Sequence, residues 1–273
     1  MATINLFALE VRIFPRRASA NLIVTPQPLT KPIAALLLDI EGTTTPIDFV
    51  YNVLFPYART HVKDYLAAHL SLPSVRADIA GLFEENAEDA RRGLNPPLLE
   101  GPAERLSLDA VEAYVRWLMD RDRKTAPLKS LQGKIWDEGY RSGELRSQVF
   151  EDVPRAFKRW RERGKTICIY SSGSVLAQKL LFANTEAGDL TPFINRYFDT
   201  NIGAKKDPES YRRIAGELEL ESSTVLFISD VTDELDAAAS DGFQTRLCIR
   251  PGNHPQSPAS IHSIIKTFDE VFP

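Results

Sequence analysis

Asp39 and Glu41 stand one residue apart in Asp39-Ile40-Glu41-Gly42-Thr43-Thr44-Thr45, directly after the apolar run Ile33-Ala34-Ala35-Leu36-Leu37-Leu38. A buried strand that ends in two carboxylates, a glycine and three hydroxyls makes either a turn or a catalytic site. Two further apolar runs close on polar residues in the same way, Ile169-Tyr170-Ser171-Ser172-Gly173-Ser174 and Phe227-Ile228-Ser229-Asp230-Val231-Thr232-Asp233. Between them lies Gly203-Ala204-Lys205-Lys206-Asp207-Pro208-Glu209-Ser210-Tyr211. On parallel strands these ends face one side, so carboxylates, hydroxyls and a lysine converge. Carboxylates crowded together repel unless a cation sits among them. Oxygen donors of this kind suit Mg²⁺, which takes a few carboxylates plus water and substrate phosphate. Lys205 adds a second positive charge, and a small polar loop opening a helix at Ser171–Ser174 offers N–H groups to an anion. Together they describe a phosphoryl-transfer site. Singly they are weak: Asp39 alone reads as a turn residue, Ser174 as an N-cap, Lys206 as solvent-exposed, and Asp233 as a cap or a partner for Lys205.

The elements that must position these residues are legible in the pattern. Buried strands are predicted at Ile33–Asp39, Thr166–Ser171, Arg196–Asp199, Thr224–Asp230 and Thr245–Ile249, the later four each following a helical pattern. Alternation of this kind builds a parallel sheet with helices on both faces. Before the second strand, Pro154 suits a first helical turn, Val153, Phe157 and Trp160 share a face, and Gly164 suits the C-terminal cap. The stretch between the first two strands reads as helical. Val111, Tyr114, Val115, Leu118 and Met119 form one stripe with Ser107 as N-cap, and Leu128, Leu131, Ile135 and Gly139 form another. Phe49–Leu70 reads as a helix broken or kinked at Pro56, and 91–100 as a loop. The expected organisation is therefore a leader at 1–30, an α/β core made of 31–47 and 149–273, and an all-helical cap at 48–148. A cap inserted after the first strand lies over the carboxyl edge of the sheet, where ligands of open α/β sheets bind.

The chain of 273 residues carries a net charge of −4 with no block of like charge, which argues against a nucleic-acid partner. No apolar run approaches the ~20 residues of a membrane helix. The two cysteines, Cys168 and Cys248, sit inside apolar runs and read as core thiols of a reducing compartment. The four histidines are scattered and show no zinc spacing. Residues 1–30 hold three arginines and one acid without periodicity, so a disordered leader and a mitochondrial transit peptide both stay open.

These motifs resemble the haloacid dehalogenase superfamily. Asp39-x-Glu41-Gly-Thr-Thr is similar to its first motif, Ser171 or Ser172 to its second, Lys205 through Tyr211 to its third, and Asp230 to the metal-binding acid of its fourth. Glu41, in place of the usual Asp, resembles one narrower family, the enolase-phosphatases of methionine salvage. So do Phe49-Val50-Tyr51-Asn52-Val53-Leu54-Phe55-Pro56-Tyr57-Ala58, Leu131-Gln132-Gly133-Lys134-Ile135-Trp136 and Arg250-Pro251-Gly252-Asn253. Asp233 departs from the pattern, since family members often carry a basic residue there.

The resemblance implies a Rossmann-like core with a helical cap and one Mg²⁺ per subunit, held by Asp39, Asp230 and Glu41 through its backbone carbonyl. It implies Asp39 as nucleophile, Glu41 as acid–base, and Ser171, Ser172 and Lys205 as phosphate-binding residues. It also implies a monomeric, cytoplasmic enzyme, the nucleus also open, acting on a small phosphate: 5-methylthio-2,3-dioxopentyl phosphate, converted to the acireductone 1,2-dihydroxy-5-methylthiopent-1-en-3-one. The base for enolisation is open between Glu41 and a cap residue. Another Mg²⁺-dependent phosphatase of the superfamily is the rival reading. A metal-free dehalogenase would leave Glu41 and Asp230 without counter-charge, and a non-catalytic phosphate binder would have no reason to keep every reactive position.

Overall fold

Six strands form one wholly parallel sheet in the computed structural model, which describes residues 29–99, 107–255 and 261–272. They are β1 (Ala35–Leu38), β2 (Thr166–Tyr170), β3 (Arg196–Phe198), β4 (Val225–Ser229), β5 (Gln244–Cys248) and β6 (Ile264–Ile265), in spatial order β3-β2-β1-β4-β5-β6. The first strand is central: Ala35 pairs with Thr166 on one side and Val225 on the other. Five of the six were expected, with ends shifted by a residue or two. The sixth was not, because two residues carry no readable period. The expectation for residues 1–30 falls, but for the last two, outside the described residues.

Successive side chains of a strand point to opposite faces, and the core divides accordingly. Leu36 and Leu38 belong to one apolar cluster, with Val153, Phe157 and Trp160 of α6 (Asp152–Glu162) and Phe182 of α7 (Val175–Ala183). Ala35 and Leu37 belong to a second, with Tyr211 of α8 (Pro208–Leu218) and Leu235 of α9 (Thr232–Ser240). Strands buried on both faces are what uninterrupted runs such as Leu36-Leu37-Leu38 encode. Cys168 and Cys248 lie fully buried in β2 and β5 as free thiols, and burial pushes each up to about 12.

Among the described residues, the segment between β1 and β2 is helical. Ahead of α6 it comprises α1 (Ile47–Phe49), a π-helical turn (Val50–Leu54), α2 (Phe55–His69), α3 (Pro73–Arg91), α4 (Leu108–Met119) and α5 (Ala126–Ser142). Ser107 caps α4 by accepting from Ala110 N–H, and both predicted stripes face inward apart from Met119, which is half-buried. The expected break at Pro56 is corrected. Pro56 sits in the first turn of α2, where a missing N–H costs little, and the irregularity falls earlier, at Val50–Leu54. There Phe55 N–H reaches back to Val50 O, five residues away. The π turn offsets the helix just where it meets Trp136 of α5, whose indole N–H donates to Leu54 O at 2.8 Å.

Candidate active site

The opening segment is both a turn and a site. Asp39 continues the ladder for one more bond, its N–H donating to Ile228 O of β4 at 3.0 Å. The chain then folds tightly: the N–H groups of Thr43, Thr44 and Thr45 all point at Ile40 O, at 3.2, 3.0 and 2.9 Å. Gly42 makes the bend possible at φ +71°, and a Cβ there would lie 2.5 Å from Asp230 Oδ2. So the glycine serves a left-handed turn and the close approach of the two motifs at once. Thr44 closes the turn by donating to Asp39 O at 3.1 Å.

Lys205 is the cation at the centre. It is almost wholly buried, with its ammonium 2.5 Å from Asp39 Oδ1 and 2.6 Å from Glu234 Oε2. Hydroxyls hold the loop that carries it: Tyr211 donates to Lys205 O at 2.6 Å, Ser210 to Ala204 O at 2.8 Å, and Tyr170 to Gly203 O at 2.9 Å. Burial disfavours its charge, but Asp39 and Glu234 outweigh burial and raise its pKa. Glu234 is a functional position that the sequence reading missed. It opens α9 four residues after Asp230, and Ser229 Oγ donates to it at 3.0 Å. Asp233 does not orient Lys205. It pairs with Lys206 at 2.7 Å, each side chain 65% exposed, because the first turn of α9 points residue 233 outward and residue 234 inward.

Asp39, Glu41, Ser172, Lys205 and Asp230 line one cavity of ≈ 360 Å³. Ser171 is buried and its Oγ accepts from Gly173 N–H at 3.1 Å, which shapes the loop; it borders the adjoining slot, while Ser172 lines the cavity itself. Ser174 is the N-cap of α7, accepting from Ala177 N–H. The helical segment contributes Lys124, which lines the same cavity and bears electrostatically on Glu41. Nothing in the strand-end pattern could reveal it; the only sequence trace is a basic pair, Arg123-Lys124, between two helical stripes. A narrower, largely apolar slot opens alongside, walled by Val50, Leu54, Phe55, Trp136 and Leu181.

Four carboxylates surround one lysine, and the crowding shows in the acidities of Asp230, Glu41 and Glu234. Burial and the charge of Asp39 raise Asp230 to about 7. Burial and Asp39 also raise Glu41, with Lys205 opposing, and burial raises Glu234 against the same lysine. An excess of negative charge in a buried pocket is what a divalent cation offsets. Among the described residues no three His, Cys, Asp or Glu side chains are grouped as a metal cage. The donors on offer are two carboxylates, Asp39 and Asp230, both lining the open cavity. That set fits Mg²⁺, which keeps several waters and takes substrate phosphate, better than it fits a metal needing a closed all-protein cage.

A parallel sheet with an acid, a hydroxyl loop, a lysine and a second acid at successive strand ends defines a class, and the chain belongs to it: residues 33–241 match the family model for haloacid dehalogenase-like hydrolases. Within that class it belongs with the enolase-phosphatases. It is 53% identical over 246 residues to enolase-phosphatase E1 of Synechococcus elongatus, covering 89% of this chain and 100% of that one. The Drosophila melanogaster enolase-phosphatase E1 is 43% identical over 218 residues, covering 80% and 84%. Among solved structures, the UTR4 protein of Saccharomyces cerevisiae is 34% identical and superposes with a TM-score of 0.69, covering 87% of this chain and 99% of that one.

Proposed function

We propose that the protein is a phosphatase of methionine salvage that enolises 5-methylthio-2,3-dioxopentyl phosphate and then removes its phosphate, releasing the acireductone. The observation that carries the reading is the meeting of Asp39, Glu41, Lys205 and Asp230 in one cavity. The enolase-phosphatase relatives support the choice of substrate, and the apolar slot offers room for a methylthio tail.

The residues divide the work. Lys205 and Ser172 hold the phosphoryl oxygens, the lysine as a charge that needs no reorganisation. Asp39 attacks phosphorus in line and the bond to the leaving oxygen breaks, giving an aspartyl phosphate. Glu41, whose raised pKa favours the protonated form, donates its proton to that oxygen. It then takes a proton from water, which attacks phosphorus and frees Asp39 and inorganic phosphate. Asp39, Asp230 and the Glu41 carbonyl would hold Mg²⁺, which supplies charge neutralisation at the phosphoryl group and at the enolate oxygen. Lys124 adds a positive charge beside Glu41 on the helical side of the cavity. Glu41 or a residue of that side removes the proton α to the carbonyl. We take 31–47 with 149–273 as the catalytic core and 48–148 as the cap that shields the cavity from water.

Incubation with the diketone phosphate and Mg²⁺, followed by enediol absorbance and phosphate release, tests the reading. Phosphate without enediol would mark a general phosphatase. Neither product from a folded protein would leave only a binder.

A further inference from the structure

The loop after β5, Arg250-Pro251-Gly252-Asn253, takes no part in the chemistry above, yet it packs behind the Asp39 turn. The left-handed bend at Gly42 leaves three backbone carbonyls on the outer side of that turn, and each meets its own donor. Gly42 O accepts from Asn253 Nδ2 at 2.9 Å, Thr43 O from Arg250 Nε at 3.2 Å, and Thr44 O from Phe150 N–H at 3.0 Å.

These donors are immobilised in turn. Arg250 is 5% exposed, with its guanidinium between the rings of Phe150 and Phe268 at 4.5 and 4.8 Å. It also pairs with Asp152 at 2.9 Å and donates to Lys266 O at 3.0 Å. Asp152 accepts in addition from Phe268 N–H, so the pair is tied to the C-terminal segment. Asn253 Nδ2 also reaches Cys248 O, at 3.3 Å, which fixes it to the end of β5. Burying an ion pair is costly, and a water could cap a turn carbonyl as well. What the rigid guanidinium fork adds is a fixed position. The other end of the asparagine points the same way: Asn253 Oδ1 is buried without a hydrogen-bond partner. It and Asp230 Oδ2 both lie within 3 Å of where a Cβ on Gly42 would sit.

We infer that Asn253 and Arg250 are positioning residues for Glu41. By gripping the two carbonyls that follow it, they hold the backbone that aims the Glu41 carboxyl at the leaving-group oxygen. The inference rests on the role of Glu41 given under the proposed function.

The test uses the full chain with Mg²⁺ and two variants. Asn253→Asp keeps the shape but replaces the donor to Gly42 O with an oxygen. Arg250→Lys keeps the charge facing Asp152 but loses the fork to Thr43 O. Each is assayed as kcat/KM, which reports the steps through loss of the leaving group, on two esters. The diketone phosphate needs a proton on its leaving oxygen; 4-nitrophenyl phosphate loses a stable nitrophenolate without one. Misplacing a general acid should lower the first by about tenfold or more and the second by less than about threefold. Equal losses on both esters, or none on either, would overturn the inference. If 4-nitrophenyl phosphate is refused, the diketone phosphate alone decides. A fall in kcat at unchanged KM supports positioning, and a rise in KM at unchanged kcat refutes it. Glu41→Gln is the control: if it fails to discriminate between the esters, the assignment of Glu41 as the acid has failed. If it discriminates and the two variants do not, the clamp alone has failed.

Discussion

Replacing Lys205 with methionine keeps most of the side-chain volume and removes the only charge between Asp39 and Glu234. Both carboxylates touch the ammonium at 2.5–2.6 Å, and the pocket gives them no comparable substitute. Removing one partner of a buried ion pair typically costs about 3–5 kcal/mol. A second route gives a similar figure. The folded variant can always escape by protonating one carboxylate, which near pH 7.5, from an ordinary pKa of about 4.3, costs about 4 kcal/mol. The pH dependence follows. In the variant Glu234 is held above its unfolded pKa, so the folded state carries the extra proton. Stability is then fully present below about pH 4.3 and declines with rising pH by at most ~1.4 kcal/mol per unit, until the folded pKa is passed. Urea unfolding of both proteins from pH 5 to 8, without divalent cation, measures this. Phosphate release should fall about 10²–10³-fold as well, the usual loss for one preorganised charge at a reacting oxyanion. Lys206→Met should match the wild type in stability, since its pair with Asp233 stands in solvent, and should lose far less activity than Lys205→Met although it borders the cavity. A stability loss under about 1 kcal/mol near pH 7.5 for Lys205→Met, or a larger effect at Lys206, would refute the reasoning.

Asp39→Asn should retain the circular dichroism spectrum and lose turnover, because an amide cannot form the phosphoenzyme; near-normal rates would remove Asp39 as nucleophile. Asp230, raised to about 7 by burial and then by Asp39, contributes stability that is present at low pH and lost as pH rises through 7 when no cation is bound. Mg²⁺ should therefore raise the melting temperature more at pH 8 than at pH 5, and an equal rise at both would contradict the assignment. Gly42→Ala combines a positive φ with a Cβ 2.5 Å from Asp230 Oδ2, so it should weaken Mg²⁺ binding by calorimetry as well as lower the melting temperature. A change in stability alone would separate the turn from the metal site.

Asp39, Asp230 and the serine loop were legible because a parallel sheet presents its strand ends on one side, whatever packs around them. The choice of Lys205 over Lys206 came from the resemblance of Lys205 through Tyr211 to the superfamily's third motif; in the fold Tyr211 donates to the Lys205 carbonyl. Glu234 escaped because its role depends on helical phase: the inward position after Asp230 is the fourth residue, and Asp233 beside it looked equally able. Lys124 escaped for a different reason. Its place over the cavity is set by how the helices between β1 and β2 stack, and no local pattern encodes that. The irregularity was expected at Pro56 because a proline is visible in the sequence, whereas a π turn such as Val50–Leu54 leaves no residue-type signal.

The central place of β1 also bears on how the chain is made. Ala35 finds its neighbours at Thr166 and Val225, so on the ribosome the first strand emerges long before either flank exists. Helices α2 to α5 contact one another and are complete by Ser142, before β2 is made, so they can consolidate meanwhile. The nascent protein thus carries an exposed apolar strand ending in Asp39 until Val225–Ser229 has been translated. Slow elongation through that interval lengthens the time during which the strand needs shielding from aggregation.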